Sequence, residues 1–139
     1  MTNHHLRRAY QTLKIVFGIV PILAGLDKFA NVLTTWSKYL NPAVARVVPP
    51  ELFMRVVGVV EIVAGVLVLS KLERLGSYLV AAWLLCIVVN LLTMGQYLDV
   101  AVRDFVMACG AFALAELTQT EGAHAEAGKE VSSVRSAPT

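Results

Sequence analysis

Charge is scarce in this chain: Asp, Glu, Lys and Arg together make up 16% of its 139 residues. So thin a charged shell excludes the solvated surface of an ordinary soluble domain of this length. The net charge is only +2 and no basic run occurs, which excludes a nucleic-acid partner. Histidine is confined to His4, His5 and His124 in the terminal segments, so no metal-ligand constellation forms and no metal site is assigned. Cysteine is limited to Cys86 and Cys109, with no C-x-x-C spacing for a redox dithiol or a metal knuckle. Helical rise puts the two thiols at similar depth, so they read as small core residues, with a disulfide between them as the open alternative. Nucleophile–base pairs and nucleotide-binding loops are missing too, so no catalytic residue is assigned and catalysis by the chain alone is not expected.

What the chain does have is apolar length. Hydrophobic residues make up 57% of it and its mean hydropathy is +0.65, which predicts a membrane protein. Apolar runs at residues 13–33, 53–70, 75–93 and 100–117 each approach the ~20 residues a helix needs to cross the hydrocarbon. Backbone in lipid must satisfy its own hydrogen bonds, and the joins at residues 71–74 and 94–99 are short. The expected fold is therefore all-α, a transmembrane antiparallel four-helix bundle within residues 1–117. Arg7 and Arg8 before the first run suggest a signal peptide. Against that, Lys14 interrupts its start, the apolar stretch continues past Lys28, and no small-x-small cleavage site follows.

Alternating crossings would place Arg7, Arg8, Lys14, Lys71, Arg74, Lys129 and Arg135 on one side, against Lys28, Lys38, Arg46, Arg55 and Arg103 on the other. That excess predicts both termini in the cytoplasm. The long first loop, residues 34–52, carries Trp36, Tyr39, Pro42 and Pro49-Pro50, and reads as an interfacial cap. Residues 118–139 form a polar tail with little to bury, which would be disordered alone.

Polar residues inside the runs gather toward one end. Asp27 and Lys28 fall late in the first, Arg55 early in the second, Asn90 late in the third, and Arg103 with Asp104 early in the fourth. Glu61 is the deepest, about 12 Å below that face by helical rise. A carboxylate at that depth costs roughly 2 to 4 kcal/mol, and its short arm cannot snorkel, so it needs protonation or a basic partner. Lys28 and Arg103 are the candidates. A buried ion pair that fixes helix register would account for Glu61 without any function, and Arg55, Arg103 and Asp104 taken singly read as charges near helix ends.

Glycine marks the packing faces. Gly58 and Gly65 share a helical face with Glu61, and Lys14, Gly18, Pro21, Gly25 and Lys28 form a stripe on the first run. Two readings stand: close helix packing through small residues, or a bend at Pro21 that opens a small-molecule cleft beside Gly18 or Gly25.

These pieces, Gly18, Gly25-Leu26-Asp27-Lys28-Phe29, Gly58-Val59-Val60-Glu61 with Gly65, the basic loop at Arg74, and Arg103-Asp104, together resemble the DoxX family over about residues 14–117. That resemblance implies a four-helix protein of the bacterial cytoplasmic membrane, in a family named for a subunit of a thiosulfate:quinone oxidoreductase. Related mycobacterial proteins are linked to membrane-associated oxidoreductase assemblies. The motif positions it implies are Gly25, Lys28, Gly58, Glu61, Gly65, Arg103 and Asp104.

The leading expectation is a non-catalytic accessory subunit of a larger respiratory or redox membrane complex, with the lipid bilayer, other membrane subunits or further copies of itself as partners. The second is a quinone-linked oxidoreductase subunit with its polar site around Lys28, Glu61 and Arg103. No cofactor ligands are evident, and a quinone or a bound lipid is the group such a site would take. A small-solute transporter is the third, disfavoured by the absence of an inverted repeat.

Overall fold

The computed structural model describes residues 3–136; residues 137–139, the end of the expected tail, and the side chain of His124 lie outside the described residues. The described chain is all-helical: α1 (Asn3–Ala30), a 3-10 turn (Trp36–Tyr39), α2 (Pro42–Ala45), α3 (Pro50–Leu69), α4 (Glu73–Met94) and α5 (Leu98–Arg135). Two of these, α3 and α4, are long and apolar enough to cross a membrane by length and composition.

Local chemistry sets the ends. The first apolar run was expected to stay helical to residue 33, but α1 stops at Ala30, where Asn31 turns left-handed at φ 51°. The Asp27 carboxylate takes the backbone N–H groups of Val32 at 3.0 Å and Leu33 at 3.1 Å, a capping geometry that a continued helix would forbid. In the loop that follows, the Asn41 side chain accepts from Ala43 N–H at 2.9 Å and Pro42 occupies the first helical position, which together start α2. Gly95 ends α4 in the left-handed conformation at φ 65°.

The tail is the clearest correction. Instead of losing order after residue 117, α5 runs on unbroken to Arg135 with its extension exposed. The cost of starting a helix is already met upstream, so Ala123, Ala125, Ala127 and Lys129 need only continue one. Residues 118–135 reach roughly 27 Å further at helical rise.

Packing joins α1 to α3 and α4 to α5 most extensively, with α3 against α4 connecting the pairs and α5 also touching α1. The α1–α3 seam runs through glycine. A Cβ at Gly25 would lie 2.5 Å from the Gly58 carbonyl oxygen, and one at Gly58 would lie 2.7 Å from the Gly25 oxygen. Gly65 stands equally close to the Gly18 carbonyl. Of the two readings of the glycine stripe, close packing is the one found: α1 continues through Pro21, and Leu69 and Ile62 of α3 fill the space beside Gly18 and Gly25 where a bend would have opened a cleft. Below the seam, Phe17, Ala64, Val68, Val80, Ala81, Ala111 and Leu114 form a buried apolar core.

Candidate functional site

Near the opposite end the core gives way to a cavity of about 580 Å3 between α1, the 31–49 loop, α3, α4 and α5. Most of its wall is apolar, including Leu33, Phe53, Val57, Ile87 and Val100. Its polar residues are Lys28, Thr34, Glu61, Asn90, Arg103 and Asp104, joined by the aromatic Trp36, Tyr39 and Trp83.

Lys28 occupies the last turn of α1 and Glu61 the middle of α3; the glycine seam brings the two backbones together, and the long lysine arm runs back along it to the carboxylate. Their Nζ and Oε2 atoms are 2.7 Å apart, with side-chain exposures of only 4% and 8%. The partner of Glu61 is thus Lys28 and not Arg103. Trp83 Nε1 donates to the second carboxylate oxygen at 3.4 Å, and the Trp36 ring lies 3.7 Å from the Lys28 ammonium. A cation over an aromatic face is stabilised by the ring quadrupole, so the lysine is held from two sides. On α5, Arg103 Nε pairs with Asp104 Oδ1 at 3.2 Å; Asp104 is buried while the Arg103 side chain is 65% exposed.

The remaining residues expected in one cluster are dispersed by the loop. Asp27 does not reach the cavity: besides capping α1 it accepts from Trp36 Nε1 at 2.7 Å, which sets that ring against Lys28. Asn90 lines the cavity but spends its amide on the loop, accepting from Asn41 N–H at 3.3 Å and donating to the Tyr39 carbonyl at 2.7 Å. Arg55 is exposed and lines a separate, smaller cavity. The depth count had placed all of these at one end, but depth carries no information about which way a side chain turns. Cys86 and Cys109 are both free and exposed, so they are neither the small core residues expected nor a disulfide.

Trp83 escaped the sequence reading. It shares a helical face with Asn90, seven residues on, and that spacing was the available signal. Trp36 was read only as an interfacial anchor, whereas its indole contacts both Asp27 and Lys28.

No protein-family model, curated protein or solved structure matches the chain.

The likeness to the DoxX family accordingly rests on the residues quoted for it. Chemically, the cavity offers an ammonium and a guanidinium as donors and the carboxylates of Glu61 and Asp104 as acceptors, against an otherwise oily wall. That combination suits a lipophilic molecule whose polar head carries hydrogen-bond acceptors.

Proposed function

We propose that this is a DoxX-like, multi-pass protein of the bacterial inner membrane. In this reading α1, α3, α4 and the apolar part of α5 cross as an antiparallel four-helix bundle, with both termini in the cytoplasm. It serves a larger redox complex as a non-catalytic accessory subunit, and its contribution is to hold a lipophilic ligand of the quinone class beside Glu61. The carrying observation is the 580 Å3 cavity whose oily wall surrounds the buried Lys28–Glu61 pair.

The outer surface supports the membrane reading. Only 39% of the apolar window of α3 and 33% of that of α4 is buried, whereas the core helix of a soluble protein would be mostly buried. Ile19 and Leu23 on α1, Val59 and Val63 on α3, Val89 on α4, and Val102 and Phe105 on α5 all face outward. Apolar exposure on every long helix supports lipid over water as the surrounding solvent. The polar extension of α5 supports the accessory role, since it gives the chain a helical arm beyond the apolar region. The transporter reading gains nothing, because the buried cluster around Phe17, Val68 and Leu114 closes the other end.

Purification from native membranes tests the proposal. Wild-type protein should carry extractable quinone and co-purify with larger subunits, and Glu61→Gln should lose most of the quinone while keeping the subunits. Unchanged quinone content in Glu61→Gln, or a wild-type protein that carries none, would remove the quinone site. Recovery as a lone species would remove the subunit role.

A further inference from the structure

A second cavity, of about 290 Å3, shares Lys28 and Met54 with the first, but polar groups dominate the rest of its wall. Asn31, Thr35 and Ser37 come from the loop after α1, and Glu51 and Arg55 from the first turns of α3, with Phe29 at its edge. Lys28 is already committed to Glu61 and Trp36. Arg55 and Glu51 are not: among the described residues neither side chain forms an ion pair or a hydrogen bond, although they stand one helical turn apart. Opposite charges at that spacing usually pair across the turn. Here they flank a polar cavity with their charges unused.

We propose that this cavity binds the headgroup of a zwitterionic aminophospholipid drawn from the surrounding bilayer. The phosphate sits on the Arg55 guanidinium, with Thr35, Ser37 and the Asn31 amide as further donors, and the primary ammonium sits on Glu51. A single charge of either sign would leave one of the two residues unmatched, whereas a zwitterion satisfies both. The neighbouring surface suits the chains: Phe29 and Leu26 on α1 and Leu52, Val56 and Val59 on α3 are all exposed. This inference rests on the membrane-spanning reading, which puts the end of α1 and the start of α3 at headgroup depth.

Native mass spectrometry on the detergent-purified full chain tests it. The added ligands are phosphatidylethanolamine, phosphatidylglycerol and phosphatidylcholine of matched chains, with glycerophosphoethanolamine as a chain-free headgroup. Wild-type protein should retain phosphatidylethanolamine best, since glycerol offers Glu51 no cation and trimethylammonium offers it no N–H. Arg55→Gln should lower retention of all three lipids about tenfold. Glu51→Gln should abolish only the preference for ethanolamine over glycerol, a change of up to about fivefold. Both side chains are exposed, so unchanged melting temperatures will show that the variants are folded.

Equal retention of the three lipids by wild type, or retention unaffected by Arg55→Gln, would overturn the proposal while leaving the membrane reading intact. Glycerophosphoethanolamine binding as tightly as the lipid would make a free headgroup the ligand and overturn the lipid assignment. Recovery of the chain in the soluble fraction would overturn the membrane reading and this inference together.

Discussion

Along the α1–α3 seam glycine brings two backbones into contact, whereas a few residues away Trp36 and Trp83 stand beside an open volume. The same two helices build both regions. Where Gly25 meets Gly58 and Gly65 meets Gly18, backbone lies against backbone, and Leu69 and Ile62 fill the space beside them. Lys28 and Glu61 instead carry long side chains to the cavity, where the indoles of Trp36 in the loop and Trp83 on α4 lie against them. The close seam is the reason the ion pair can form. Since α1 and α3 run antiparallel, Lys28 and Glu61 lie on opposite sides of the Gly25–Gly58 contact, about 9 Å apart along the axis by helical rise. The long lysine arm spans that distance because the backbones touch. Rigidity in one region thus sets polar geometry in the other.

The two regions should respond oppositely to added volume. Gly58→Leu drives a side chain into the Gly25 carbonyl, so a loss beyond about 4 kcal/mol is expected, seen as failure to recover folded protein in detergent. Cys86→Leu, on the exposed rim of the cavity, should change stability by less than about 0.5 kcal/mol in the same melting assay. Equal effects of the two would dissolve the contrast.

Charge comes next in size. Glu61→Ala strands the Lys28 ammonium among apolar neighbours and should cost about 3–5 kcal/mol, while the double change Lys28→Met with Glu61→Leu should recover most of it. A double variant as unstable as the single one would mean that the pair fixes the fold and not only the polarity of the cavity. Asn90→Leu removes the clasp on the 31–49 loop and should cost about 1–2 kcal/mol, with faster amide hydrogen exchange confined to that loop. Truncation after Leu117 is the smallest effect on stability, under about 0.5 kcal/mol, because the extension of α5 is exposed; loss of co-purifying subunits should nonetheless follow.

The helices were legible in the sequence because apolar length is a direct consequence of burial in core or lipid, and Pro50 and Gly95 mark two of their limits in residue type. The seam was legible for a similar reason: glycine at helical spacing on two segments admits few uses. Which cation would meet Glu61 was not, since Lys28 and Arg103 both approach from the same end and only the seam decides between them. The cavity was less legible still. It exists because the loop folds over it, and that path depends on Asp27 holding Trp36 and on Asn90 holding Tyr39 and Asn41, contacts between residues far apart in the chain. The helical tail was not legible because a polar segment with little to bury gives no packing signal, whereas here it only continues a helix that α5 has already started.

The chain's two tryptophans both line the cavity, so tryptophan emission, excited selectively over the four tyrosines, reports on that volume. Titrating a short-chain quinone into the protein in lipid nanodiscs is therefore the most direct test of whether a ligand sits beside the Lys28–Glu61 pair. Saturable quenching is expected in the wild type, with an apparent affinity weakened about tenfold in Glu61→Gln. Quenching that rises linearly with quinone and is identical in Glu61→Gln would mean that the quinone only dissolves in the lipid, and would contradict the account.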